Sequence, residues 1–388
     1  MNRNAKLILE MAVLCAGVGF VVSAGRAQSN AGAHAAAGTR AGQAGDKKAE
    51  EQFKNIQVLK GISADQLIPT MQFITASLGV ECEFCHVQGA FDKDEKKPKQ
   101  TARKMMEMMF AINADNFDRD RKVTCYSCHR GSTVPDGMPP VMSEEPKQAM
   151  GEPKKPEEPK QNAGPTAEQL LDKYVQAAGG AAAIEKITSR VMKGTIDFGG
   201  MSMPIDIYAK DPEKRISFTH TPGGDSVTAF NGHEGWLGMP GGGPIREMRG
   251  NDLDGAAIDA DLHLAAHLKQ MFSQTEVRET AKIGDRNAYL VVGERTGKPP
   301  VELYFDPQTG LLLRLVRYGE TALGRLPTQI DYADYRDTDG VTIPYRWTLA
   351  RPSGRFTIQV SEVQQNVPVD DGKFVKPTPP EAPKGPGK

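Results

Sequence analysis

Two pentapeptides share one spacing: Cys82-Glu-Phe-Cys85-His86 and Cys125-Tyr-Ser-Cys128-His129. Two thiols three positions apart, followed at once by an imidazole, form the pattern of covalent haem attachment. The thiols can reach the two vinyl groups of one porphyrin, and the histidine can then ligate its iron and set the metal's electronics. A zinc site, two disulfides or a thioredoxin-type redox pair would each leave the paired histidines unexplained. The stretch from Cys85 to Cys125 is also longer than the roughly 15–20 residues of a zinc ribbon. The chemistry expected is therefore one-electron redox at two covalently bound haems c. Cys82, Cys85, His86, Cys125, Cys128 and His129 would bind them, with His86 and His129 as iron ligands.

Each pentapeptide needs an element to hold it, and each is preceded by a helical pattern. Phe53, Ile56 and Leu59 share one helical face from Glu50 until Gly61. Ser63-Ala-Asp-Gln66 then has the form of a capping box, and Leu67, Met71, Ile74 and Leu78 follow at helical spacing up to Gly79. Pro69 conflicts with a start at Ser63, because an interior proline removes a backbone bond, so Pro69 is the alternative start. The charged run from Asp92 to Lys104 suits a solvated face, with a docking patch for a redox partner as the lesser alternative. A second helix carries Ala102, Met105, Met108, Met109 and Ile112 on one stripe and ends between Asn113 and Asn116. Its methionines would pack a porphyrin edge whether or not one of them binds iron.

The 388 residues carry a formal net charge of -1, enough chain for two domains with linkers and no argument for a nucleic-acid partner. Arg3 and Lys6, an apolar run from Met11 to Ala24 and the small residues Ala24 and Ala27 form a secretory signal over residues 1–27. The run is shorter than the roughly 20 residues of a spanning helix, which favours cleavage over anchoring. Cys15 would leave with it, and Leu14 before it argues against lipidation. A periplasmic location follows, with membrane association if the run is retained. Residues 28–49 form a flexible leader, 50–138 the haem domain and 139–165 a linker rich in Pro, Glu and Lys. Residues 166–377 form a second domain and 378–388 a disordered tail.

The second domain opens with an amphipathic helix, Thr166 to Ile187, interrupted at Gly179-Gly180. Strand-like runs follow at Thr195–Phe198, Met203–Tyr208, Ala229–Leu237, Ala288–Val292, Val301–Phe305, Leu311–Val316, Val341–Leu349 and Phe356–Val360. Turn chemistry at Asn231-Gly232, Asp306 to Gly310, Asp339-Gly340 and Ser353-Gly354 separates them. A helical insertion spans about Asp259 to Phe272 and places His263 and His267 four apart. With no third ligand near in sequence, that pair is expected to be incidental. The glycines from Gly238 to Gly243 lack the Lys-Ser/Thr of a phosphate loop, and His220 and His233 sit beside turns with no role assigned. The architecture expected is multidomain: a mainly α dihaem cytochrome c domain followed by an α+β domain with a curved antiparallel sheet.

The run Met71-Gln-Phe-Ile-Thr-Ala-Ser-Leu-Gly-Val-Glu-Cys82-Glu-Phe-Cys85-His86, with the repeat ending Cys125-Tyr-Ser-Cys128-His129-Arg-Gly, resembles the cytochrome c subunit of photosynthetic reaction centres. The likeness spans roughly Phe53 to Pro139. It implies electron transfer between redox partner proteins rather than enzymatic turnover, and a helix methionine as sixth iron ligand. That role falls to Met71 for the first haem and to one of Met105, Met108 and Met109, with Met108 preferred, for the second. The family's subunit typically has four haem motifs and this chain has two. The second half, through Tyr304-Phe-Asp-Pro-Gln-Thr-Gly-Leu-Leu and Asp339-Gly-Val-Thr-Ile-Pro344, is similar to the outer-membrane lipoprotein carrier and sorting superfamily. That similarity implies a curved sheet closed over helices, with lipid or quinone as a conceivable cargo. A peroxidase-like dihaem enzyme with an open iron, and a carrier with accessory haems, are the rival functions.

Overall fold

The computed structural model describes residues 47–135, 164–242, 245–278 and 280–377. The expected signal over 1–27, most of the leader and linker, and the tail from 378 lie outside these residues. Among the described residues the N-terminal part carries α1 (Ala49–Gln52), α2 (Ala64–Leu78), α3 (Cys82–Cys85), α4 (Lys97–Asn116) and α5 (Cys125–His129). α1 is a single turn that ends at an extended Phe53, so the helix expected from Glu50 to Gly61 does not form. Its apolar residues are nevertheless used, because Leu59 and Ile62 are buried with Leu67, Phe73, Ile74, Met106 and Met109 in one cluster.

α2 starts at Ala64 and keeps Pro69 in its interior, which resolves the choice of start in favour of Ser63 as N-cap. The capping box does not form, for the Ser63 side chain makes no cap bond and only its carbonyl accepts, from Gln66 N at 3.0 Å. The helix ends on Gly79 at φ 66° and ψ 38°, a left-handed cap that glycine adopts without side-chain strain. The buried face of α4 is Lys99, Met106, Met109 and Asn113. The methionine stripe is thus rotated from the one expected: Met106 replaces Met105 and Met108, which are 40% and 49% exposed.

The C-terminal part is one antiparallel sheet. Its first half comprises β1 (Ser189–Phe198), β2 (Met201–Lys210), β3 (Lys214–Thr221), β4 (Gly224–Asn231), β5 (Gly235–Gly238) and β6 (Arg246–Met248). The second half comprises β7 (Gln274–Val277), β8 (Ala281–Ile283), β9 (Arg286–Arg295), β10 (Lys298–Phe305), β11 (Leu312–Glu320), β12 (Arg325–Thr338), β13 (Val341–Arg351) and β14 (Gly354–Gln365). The strand order is β6-β5-β4-β3-β2-β1-β14-β13-β12-β11-β10-β9-β7, with β8 paired to β9. Two meanders therefore meet at the seam of β1 and β14, where Arg190 faces Gln365.

Helices α8 (Gly250–Ala260) and α9 (Leu264–Met271) carry the chain from the β6 end of this order to β7, and split the expected single insertion at 261–263. They join α6 (Ala167–Ala177) and α7 (Ala181–Ile184) over the sheet. At α6 the reciprocal cap does form, with Gln169 N donating to Thr166 Oγ1 at 3.2 Å and Thr166 N to Gln169 Oε1 at 2.9 Å. Leu170, Leu171, Tyr174, Ile258 and Leu268 from these helices bury against Ile207, Val291, Leu303, Phe305 and Leu315 of the sheet. Each such side chain contributes roughly 1.5–3 kcal/mol by leaving water, so this layer is the main source of stability for the sheet.

The sheet also reaches into the helical cluster. The turn between β11 and β12 inserts Leu323, fully buried, among Leu67, Phe73, Met106 and Met109. The Thr321 hydroxyl accepts from the backbone N–H groups of Leu323 and Gly324 at 3.2 and 3.1 Å, which keeps the turn tight. Ala322 N donates to Thr70 Oγ1 at 3.3 Å, and Arg121 pairs with Glu320 at 2.8 Å.

Candidate haem attachment sites

In both pentapeptides the spacing becomes geometry through a single helical turn. Cys82 and Cys85 are the ends of α3, and Cys125 and Cys128 lie three apart on α5, so each thiol pair shares one face. One thiol of each pair, Cys82 and Cys128, is exposed, and no disulfide joins any of the four. Burial pushes the Cys85 and Cys125 thiols up, which keeps them protonated at neutral pH.

The two histidines are set in the same way. His86 Nδ1 lies 2.8 Å from the Phe91 carbonyl, and His129 Nδ1 lies 2.9 Å from the Ser132 carbonyl. A carbonyl oxygen only accepts, so Nδ1 carries the proton in both rings and Nε2 keeps its lone pair. Metal-ligating histidines are oriented by this arrangement. Free thiols on one face beside an imidazole with a bare Nε2 suit a covalently bound haem, with His86 and His129 ligating it. Around them stand exposed apolar side chains, among them Phe84, Phe91, Met105, Met108, Phe117 and Tyr126. Crowding of this kind marks a surface meant to be covered.

The loop that supplies the Phe91 carbonyl is itself braced, by residues of the Asp92 to Lys104 run expected to form a solvated face. Lys99 is buried to 9% exposure, and its ammonium donates to the carbonyls of Phe91 at 2.9 Å and Lys93 at 2.7 Å. Arg103 grips Asp94 with both prongs at 2.8 and 2.9 Å, and Lys99 approaches the same carboxylate at 3.1 Å. The Arg103 hydrogen bonds, with those of Asn55 and Lys99, hold the Asp94 carboxyl well below the usual carboxylate range. At the second site Asn113 does similar work. Its side chain donates to Val123 O at 2.7 Å and accepts from Val123 N at 2.9 Å, fixing the segment that enters Cys125. Asn113 was seen only as a helix end, and its signal was a polar residue in register with the buried face.

α3 packs on α4 and α5 on α2. The second contact is made at the C-terminal end of α2, where Gly131 N donates to Ser77 O at 2.9 Å. Met71 stands about 9 Å earlier along the helix at 1.5 Å per residue, half-buried beside the cluster of Leu67 and Ile74. Met108 is half exposed on the outer face of α4.

A concave site of another kind lies away from both motifs. A cleft of about 1210 Å³ runs between α2 and the sheet, lined by Ile68, Pro69, Trp236, Arg246, Arg317 and Arg351 among others. Beneath it Arg317 holds Asp259 in a two-pronged pair at 2.6 and 2.9 Å.

Residues 16–186 match the family model described as photosynthetic reaction centre cytochrome C subunit. The photosynthetic reaction center cytochrome c subunit of Thermochromatium tepidum is 38% identical over 92 residues, 23% of this chain and 23% of that one. Cytochrome c-554 of Chloroflexus aurantiacus is 33% identical over 102 residues, 24% of each. The match thus spans about a quarter of the length of these curated relatives. For the C-terminal half, a LolA superfamily protein from Nitrosomonas europaea is similar at 16% identity and a TM-score of 0.37, covering 55% of this chain and 99% of that one. A DUF1329 family protein from Desulfovibrio piger gives 14% identity and 0.38, covering 54% and 96%. Among the described residues no helix is long and apolar enough to cross a membrane.

Proposed function

We propose that this chain is an exported, periplasmic dihaem c-type cytochrome that passes single electrons between redox partner proteins. The observation that carries the reading is the paired construction of α3 and α5: two thiols on one face, and a histidine whose Nδ1 is committed to a backbone carbonyl. The similarity of residues 16–186 to reaction centre cytochrome c subunits supports it. Bound haem supplies the Fe(III)/Fe(II) couple. The protein's part is to anchor each macrocycle through its cysteines, to present Nε2 of His86 and His129, and to cover it with the apolar residues of a mainly α domain. Met71 and Met108 are proposed as the opposing ligands, which would close both irons to substrate and favour a carrier over a peroxidase-like enzyme. An optical redox titration of the purified protein tests this. Two haems per chain, both low-spin in each oxidation state and with no ligand exchange on reduction, are expected. One haem, or a high-spin population, refutes the carrier.

The cleft beside α2 favours a second role for the C-terminal domain. Its apolar wall of Ile68, Pro69 and Trp236 faces arginines, a combination that fits an amphipathic lipid or quinone rather than a nucleic acid. Mass spectrometry of organic extracts of the purified chain tests it, and an extract empty of such molecules counts against the cargo.

A further inference from the structure

The histidines at 263 and 267, expected to be incidental, do not stand alone. The fold brings Glu185, just after α7, against them, so that one ligand atom from each of the three residues lies within 4.8 Å of the others. Both rings are locked. His263 is buried, and its Nε2 lies 2.8 Å from the Ile187 carbonyl, so Nε2 carries the proton and Nδ1 is bare. His267 Nδ1 donates to Asp261 Oδ2 at 2.9 Å, which leaves its Nε2 bare. The bare atoms face carboxylates: His263 Nδ1 is 3.9 Å from Glu185 and 3.8 Å from Asp211, and His267 Nε2 is 3.6 Å from Glu185. The rings meet edge to face with centroids 5.5 Å apart.

These separations are too long for hydrogen bonds. They approach the roughly 3.4 Å that separates two ligands of one tetrahedral ion bound at about 2.0–2.1 Å. With no cation and no added proton between them, these imidazole nitrogens and two carboxylates would repel one another. Among the described residues no lysine or arginine pairs with Glu185 or Asp211. The bonds that lock the rings, one to a carbonyl and one to a carboxylate, are also those that orient metal-ligating histidines. We infer that His263 Nδ1, His267 Nε2 and Glu185 bind a divalent first-row transition ion, most suitably Zn(II), with the half-exposed Asp211 able to turn into the fourth position. Two nitrogens with carboxylate oxygens suit that class of metal better than Ca(II) or Mg(II). The ion is structural. It fastens the end of α7 and the turn between β2 and β3 to the start of α9, and it is independent of the haem reading.

The test uses the full purified chain, stripped with a chelator, titrated with Zn(II), desalted and assayed for metal content. One zinc per chain in addition to any iron is expected, with a rise in melting temperature. Glu185→Gln and His267→Ala alter exposed or half-buried side chains and should fold, as checked by circular dichroism, yet bind zinc at least tenfold more weakly. Asp261→Asn, which releases the His267 ring, should cost about tenfold. The inference is overturned if the stripped chain takes up no zinc. It is equally overturned if Glu185→Gln and His267→Ala bind as the parent does, which would assign the ion elsewhere, for example to His220 between Asp206 and Asp225.

Discussion

Replacing Gly79 by alanine tests how the two cysteine-bearing turns are joined. A Cβ at this position would lie 2.2 Å from the Gly131 carbonyl oxygen and 3.0 Å from its carbon, backbone atoms with no side-chain freedom to yield. Two costs add. The left-handed conformation at φ 66° costs an alanine about 1–2 kcal/mol. Relieving the contact needs a shift of about 1 Å, with overpacking worth about 1–3 kcal/mol. That shift also strains the bond from Gly131 N to Ser77 O, worth about 1 kcal/mol. The sum is about 3–6 kcal/mol. Gly61 and Gly131 provide internal controls, because both have positive φ, 86° and 85°, and a Cβ there meets nothing within 4 Å. Their alanine variants should lose only about 1–2 kcal/mol. Urea unfolding followed by far-ultraviolet circular dichroism measures all three. If Gly79→Ala costs no more than Gly61→Ala, the close approach of α2 to the turn after α5 does not constrain the fold.

Replacing Cys82 and Cys85 together by alanine should halve the covalent haem, read as the haemochrome absorbance that remains after acid–organic extraction; retention of both haems would contradict the attachment assignment. Met71→Ala and Met108→Ala should each weaken the near-infrared methionine-to-iron band, lower one potential and admit carbon monoxide on reduction. An unchanged band and no carbon monoxide binding would remove that methionine from the ligand set. Asp259→Asn should cost about 3 kcal/mol at pH 7 by leaving the buried Arg317 unpaired. Burial alone would raise the Asp259 carboxyl, but the Arg317 guanidinium holds it below its ordinary value. The contribution is therefore present above about pH 4 and lost as pH falls through the depressed value, so the gap between parent and variant in urea should close in acid. A gap that stays constant from pH 7 to pH 3 would show that the pair is not the cause.

The shared turn of each Cys-x-x-Cys-His run was legible because its residues are adjacent in sequence. What braces them was not. Asp94, Lys99 and Arg103 look like any charged loop until folding places them around one carbonyl, and Glu185 reaches His263 only through the return of α9 across the sheet. β12 escaped notice because its sequence is charged and its period weak. Its polar groups are matched across the sheet, as Arg314 on β11 grips Asp331 at 2.5 and 3.1 Å. The methionine stripe was misplaced by one register step. Met105, Met106, Met108 and Met109 make two helical faces equally apolar, and packing against Leu67, Phe73, Ile74 and Leu323 selects Met106 and Met109 as the inner pair.

That leucine also bears on the order of events during synthesis. The helices around the haem turns lack a central piece of their interior until a residue some 250 positions downstream of Thr70 arrives. Ribosomes extend a chain at about 5–20 residues per second, so roughly 10–50 s separate the emergence of α2 from that of Leu323. Throughout that interval the four thiols belong to an incompletely packed segment. Arrival of the β11–β12 turn then completes that interior, so the late-made half of the polypeptide decides when the cysteine-bearing helices can finish packing.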